Sequence, residues 1–307
     1  MTAKSQIPKK HHFIPQFWTK NWASSDGLVQ RFTRPHPSKV ASLRKHPAAI
    51  GWHNRLYELP SAADKSVNFE TIFFRKLDQA ASDLFKKLLA EPEPHLGAFE
   101  SEALAIFIIS LLHRSPSAIE AMEKLSSIME AEIRSELRPR YHEVRGKDDP
   151  QTVEEFEQQL GPDPHLRHLS GVFREVTASN RLASVFVRLN WRRIQFTDAE
   201  NNLLLSDDPL IRTNGILQPN GHLAFPPSPK IAIFGLNRPE HFKELIDQPL
   251  SNIVTQMNTQ AVESARHFVV DRDERQHRFI SNRFGQNPRP TLSEASLKTK
   301  MAHGAVS

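Results

Sequence analysis

The period of the hydrophobic pattern changes at Leu189, and that change narrows what the 307 residues can fold into. From Asn68 up to it, apolar residues recur every three or four positions; beyond it they alternate. Leu77, Ala81, Leu84 and Leu88 make one stripe of a helix over Asn68 to Leu89, which Glu91-Pro92-Glu93-Pro94 ends. Ala98 to His113 is apolar almost all round, which predicts a helix buried at the centre. Ser115 is a cap and Pro116 a first helical residue for a third long helix reaching about Arg140. Helical spacing resumes over Val153 to Leu160 and about Leu166 to Leu189. Short alternating segments follow at 191–197, 203–205, 210–213, 222–225 and 230–234, separated by turn residues, and predict an antiparallel sheet. Helices over 239–246 and about 250–266 and a strand at 268–270 complete this half.

The first 67 residues are more broken: a short helix over Pro15 to Ala23, a strand at 28–33, a Pro- and Lys-rich loop over 34–48 and an extended piece at 55–59. The reading is α+β, with a helical middle section packed with a small, mainly antiparallel sheet. One globular domain is expected over 10–283, between a disordered basic start at 1–9 and a disordered tail at 284–307.

The chain has no Cys, which rules out disulfides, thiolate metal sites and a cysteine nucleophile, and fits a reducing, cytoplasmic setting. Its longest apolar run, Ala103 to Leu112, is far short of the roughly 20 residues of a spanning helix. No membrane partner is expected. The net charge of +5 hides an asymmetry: residues 1–56 carry ten Lys and Arg against Asp26 alone, a net +9, which leaves −4 for the rest. Such a basic segment suits an anionic partner, nucleic acid included, or packs on the chain's own acidic body.

Two polar clusters are candidates for chemistry. His11 and His12 are adjacent, so on an extended chain their rings point to opposite faces and one metal cannot easily take both. One ring at the amino end of the Pro15 helix would sit where an anion binds and could act as acid or base; Gln16 is there as a substrate-binding candidate. Ser206-Asp207-Asp208-Pro209 follows the apolar 203–205 strand, and Pro209 keeps Asp208 extended, so Asp207 and Asp208 could orient a histidine or hold a divalent metal. A plain Asx or Ser turn is the alternative. Arg114 could clamp an anion; Asn258, an unusual residue beside an apolar helical face, is a further substrate-binding candidate, and Glu70 reads as a first-turn surface acid. The chain has no phosphate-binding P-loop, dinucleotide fingerprint, nucleophile elbow, His-Glu-x-x-His or EF-hand.

Lys10-His11-His12-Phe13-Ile14-Pro15-Gln16-Phe17-Trp18 with Trp22, and later Leu204-Leu205-Ser206-Asp207-Asp208-Pro209, resemble the domain-of-unknown-function family 4238, whose members carry HHxxPxxxLxxF near the start and a Ser-Asp-x-Pro step later. Phe107 to Pro116, Phe225 to Pro229 and Asn258 ahead of Ala265-Arg266 are similar as well, so the resemblance spans about residues 10–272. Thr19 and Trp22 depart from the usual leucine and phenylalanine. The resemblance implies no reaction. Two functions are expected from the residues. One is a hydrolase of phosphodiester or nucleotide substrates using His11 or His12, Asp207 and Arg114. The other is a non-catalytic nucleic-acid or anionic-ligand binding module that uses the basic segment with Phe17, Trp18, Trp22, Phe32 and Trp52.

Overall fold

In the computed structural model, residues 9–59, 67–68, 74–160, 180–213 and 215–304 are described. Residues 1–8 of the expected disordered start, Glu70 and most of the helix expected over 166–189 lie outside them. The strands are β1 Lys10–His12, β2 Val29–His36, β3 Lys39–Lys45, β4 Trp52–Asn54, β5 Glu58–Leu59, β6 Val67–Asn68, β7 Asn190–Gln195, β8 Leu205–Ser206, β9 Ile211–Thr213, β10 His222–Ser228, β11 Ile231–Leu236 and β12 Val269–Asp271. The α-helices are α1 Gln16–Thr19, α2 Arg75–Ala90, α3 Ala98–His113, α4 Pro116–Val144, α5 Val153–Leu160, α6 Asn180–Val187, α7 His241–Ile246, α8 Leu250–Ser264, α9 His277–Ser281 and α10 Leu292–Gly304. The fold is α+β, and every described strand pairing is antiparallel.

The sheet β7-β11-β10-β9 is a middle layer, because its side chains alternate between two cores. Leu223, Phe225, Ile231 and Ile233 face the core that holds Phe85 of α2 and Phe107 of α3. Ala224, Ala232 and Phe234 face Ile253, Val254 and Met257 of α8. Helix α3 is buried as its sequence predicts: Leu104, Ala105, Phe107, Ile108 and Ile109 are all at most 1% exposed, with α2, α4, α6 and α10 packed against it. Each large side chain so covered contributes roughly 2 kcal/mol. Helices α3 and α4 meet at a 73° bend, and no single described helix is long and apolar enough to cross a membrane. Ser115 makes the corner: its Oγ accepts the Ala118 N–H at 3.2 Å, with Pro116 next in the chain.

Two segments differ from expectation. The Pro- and Lys-rich stretch 34–48 is not a loop, since β2 continues to His36 and β3 returns along it in the sheet β3-β2-β12-β8. Strand β3 is the sheet's edge, where lysines are favoured because they discourage further pairing, and they hide its alternation. The tail is not disordered through 284–304 either. Phe284 is buried, and α10 lies along α4. A reciprocal cap starts α10: Glu294 N–H donates to Thr291 Oγ1 at 3.1 Å and Thr291 N–H to Glu294 Oε2 at 2.7 Å. The sequence sign for it, Thr-x-x-Glu after a proline, sits in a polar stretch with a weak apolar stripe.

Candidate anion-binding cleft

The opening motif of the chain works as a latch. Strand β1 pairs with β4, placing His11 opposite His53. His11 is buried, stacks on Tyr57 with ring centroids 5.5 Å apart, and accepts the Tyr57 N–H at Nδ1, 2.9 Å away. His12 points elsewhere, with Nε2 3.4 Å from the Ala48 carbonyl oxygen. Burial lowers the His12 pKa, and Asp78 opposes that while Arg114 and Lys10 add to it. Neither ring caps α1, whose N-cap is Pro15 with no side-chain cap bond. Behind the pair, Trp18 Nε1 donates to the Pro226 carbonyl at 2.7 Å, Asn21 Nδ2 to that of Pro227 at 2.8 Å and Trp22 Nε1 to that of Leu203 at 2.8 Å. The prolines have no N–H and the β10–β11 register shifts there, so these carbonyls take indole and amide donors instead of ladder partners. Trp18, Trp22 and Phe32 are fully buried and cannot stack on bases. The Gln16 side chain has no hydrogen-bond partner among the described residues.

Arg114 is not an open clamp. It is fully buried between the Phe74 and Phe107 rings, 5.5 and 5.3 Å from their centroids, and Nη1 donates to Asp78 Oδ1 at 2.9 Å. Asp78, in the first turn of α2, carried no sign of this role in the sequence. Asn258 is internal too: Oδ1 accepts the Leu204 N–H at 2.9 Å, and Nδ2 donates to the Asn202 carbonyl at 2.7 Å and to Gln276 Oε1 at 3.0 Å.

Asp207 meets neither His11 nor His12. Its carboxylate accepts the N–H groups of Arg266, His267 and Phe268 between 3.0 and 3.3 Å, which ties the turn before β12 to the end of β8. Burial pushes its pKa up even so, against the pull of His267 and those three N–H groups. Asp208 faces arginines, 3.6 Å from Arg289 Nε and 3.9 Å from Arg212 Nη2, and its carbonyl accepts Ser206 Oγ at 3.0 Å in a local turn. A divalent cation does not fit these acids: the oxygens of Asp207 already take N–H donors, two guanidinium groups face Asp208, and no group of three or more His, Asp or Glu among the described residues could hold a metal.

Around this acidic turn lies a cavity of about 40 Å³. Leu111, Leu112, Ser115 and Ser117 at the α3–α4 corner form one wall, and Asp207 to Leu210 with Arg212 another. Arg266 and His267, then Arg289 and Thr291, close the ring. Of the candidates named from sequence, Asp207 and Asp208 line it; His11, His12, Gln16, Arg114 and Asn258 do not. The caps of α4 and α10, Ser115 and Thr291, both border the cavity, so the positive ends of two helices face it. Arg266 is committed to the protein, donating to Glu294 at 2.7 and 2.8 Å. Arg212 and Arg289 are not. No hydrogen bond from the Arg212 side chain is made among the described residues, Arg289 makes one of 3.3 Å to the Arg212 carbonyl, and Arg212 Nε and Arg289 Nη2 are buried without a partner. Burial holds the Arg289 pKa down, with Asp208 opposing and Arg212 adding. Sequence reasoning missed both arginines because Arg289 lay in the presumed tail and Arg212 in a short strand.

A family profile described as "Protein of unknown function (DUF4238)" matches residues 10–275, and the chain belongs to that family. No curated protein and no solved structure matches the chain.

Proposed function

For this member of a family whose description states no activity, we propose that the protein is an anionic-ligand binding module that takes an oxyanion in the cleft between the α3–α4 corner, the Asp207-Asp208 turn and the start of α10. The supporting observation is the pair of unsatisfied guanidinium groups on the cleft wall. Arg212 Nε and Arg289 Nη2 are buried with no partner among the described residues, and the two side chains between them make one hydrogen bond, of 3.3 Å. Buried donors without acceptors are costly, and an oxygen-rich anion is the ligand that relieves them. The nearest acid, Asp208, lies beyond hydrogen-bond distance of both guanidinium groups.

Titration calorimetry with inorganic phosphate at low salt tests this. Wild type is expected to bind, and Arg212→Gln to bind at least roughly tenfold more weakly, since a charge-assisted pair is worth about 1.5–3 kcal/mol. Equal heats from the two proteins would refute it. Hydrolysis of a nucleotide or phosphodiester is a further step that requires a proton carrier beside the anion. His267 stands on the cleft wall, exposed, whereas His11 and His12 are engaged with Tyr57 and Ala48. Turnover of 4-nitrophenyl phosphate that His267→Gln abolishes would add catalysis to binding. The cytoplasmic setting that a cysteine-free chain fits belongs to the same reading.

A further inference from the structure

Half of the cationic wall comes from chain beyond the family segment. Arg289 and Thr291 line the cleft, and the family match ends at residue 275. The arm that carries them is tied to the body at several points: Gly285 and Asn287 N–H donate to the carbonyls of Val262 and Glu263 at 3.0 and 2.9 Å, and Arg266 Nη2 donates to the Arg289 carbonyl at 2.7 Å as well as to Glu294. The arm therefore delivers the Arg289 guanidinium to the one on Arg212. Two guanidinium groups face one carboxylate, Asp208, at 3.6 and 3.9 Å, where the body meets the arm. Nothing described supplies the missing acceptor oxygens.

Size limits what can supply them. The cavity is small, about 40 Å³, which suits a compact oxyanion group. Four chain segments ring it: 111–117, 207–212, 266–267 and 289–291. An internal phosphodiester carries a substituent on each side and needs a through-groove; an end group needs only a mouth. Planar guanidinium forks on two sides suit the several oxygens of such a group.

Resting on the oxyanion-binding reading above, we propose that the ligand presents a terminal oxyanion, a phosphate or phosphomonoester end group, which bridges Arg212 of the body and Arg289 of the C-terminal arm. Binding and docking of the arm then reinforce one another, because a ligand that needs both arginines favours the docked arm by the same factor that docking favours the ligand.

The test uses the full chain and four probes: phenyl phosphate, diphenyl phosphate, and a short oligothymidylate with and without a 5′-phosphate. Phenyl phosphate is expected to bind at least roughly tenfold tighter than diphenyl phosphate, and the 5′-phosphorylated strand tighter than the bare one. Arg289→Gln is expected to weaken phenyl phosphate by a similar factor while remaining folded, and Arg289→Lys to recover part of the loss. If Arg289→Gln does not fold, Arg289→Lys alone carries the comparison. Phenyl phosphate is also expected to slow amide hydrogen exchange across 289–304 in wild type. Equal binding of monoester and diester overturns the terminal-group inference while leaving oxyanion binding in place. Equal binding of both strands points to backbone recognition and overturns it as well. Tight monoester binding with unchanged exchange in the arm overturns the bridge, and no binding by any probe overturns both readings.

Discussion

His113 ends α3 in an apolar surrounding, 7% exposed, with no hydrogen-bond partner for either ring nitrogen. Burial alone pushes its pKa from 6.5 down to about 4. The consequence for stability has a definite sign. Between those two pH values the unfolded chain takes up a proton that the folded chain refuses, so this contribution is complete above pH 6.5 and is lost as the pH falls toward 4. At 1.36 kcal/mol per decade the full loss is about 3 kcal/mol, of which about 2 kcal/mol falls between pH 7.5 and pH 5. His113→Leu removes the titration and the buried unpartnered nitrogens together. Leu125, Leu182, Leu292 and Ala295 line the groove beside it, so an aliphatic side chain suits the site. At pH 7.5 the variant is expected to gain about 1 kcal/mol, since burying an unpaired polar group costs about 1–3 kcal/mol. At pH 5 its lead over wild type is expected to widen by about 2 kcal/mol. Urea unfolding of both proteins at the two pH values measures this. Parallel pH profiles would refute the argument, because they would mean that the folded protein protonates His113 as readily as the unfolded one.

Two further substitutions probe interior hydrogen bonds of the fold. Asp271, fully buried among donors from Asn202, Gln276 and Arg272, is pushed up to about 6 by burial, so its contribution is present at low pH and lost as the pH rises through 6. Asp271→Asn is expected to abolish about 1 kcal/mol of stability change between pH 5 and pH 8, and an unchanged slope in urea midpoints would count against it. The slope from Asp271 opposes that from His113, so the two partly cancel in wild type and separate in the variants. Trp18→Phe keeps the ring contacts with Phe85 and Phe225 but leaves the Pro226 carbonyl unpaired. A loss of about 1–3 kcal/mol in thermal or urea unfolding is expected, and unchanged stability would mean that the latch bond contributes nothing.

Much of the fold was legible because it depends on local period. Ala98 to His113 reads as a buried helix and is one, and Ser115-Pro116 reads as a helix start and is one. Positions 223–225 and 231–234 alternate between two cores as a sheet interior requires. The misses share a physical cause, which is polarity placed on real elements. Lysines and an arginine on β3 look like a loop because an edge strand needs charge, and α10 looks like a tail because it is held by a cap and by the pairs Arg266–Glu294 and Lys300–Glu132. The site was less legible. His11, His12 and Asn258 stood out as polar residues in apolar company, and the structure uses them for interior hydrogen bonds. Asp207 and Asp208 were found through the proline that fixes their turn, and both line the cleft.

The charge asymmetry follows the same division between fold and site. Several of the basic residues that give the first 56 positions their +9 are occupied within the fold. Arg34 donates to the Ser281 carbonyl, Arg44 to Asp26 and the Arg272 carbonyl, and Lys10 lies over the Trp52 ring. The two cations that line the cleft, Arg212 and Arg289, lie in the part of the chain with a net charge of −4. A site whose walls come from positions 111–117, 207–212, 266–267 and 289–291 has no local spacing to betray it. Each segment reads separately as a helix start, a turn, a strand approach and a polar linker, and only folding brings their donors together. Arg34, Arg44 and Lys10 of the basic segment are thus engaged within the fold, while the two guanidinium groups that share Asp208 come from later segments of the chain.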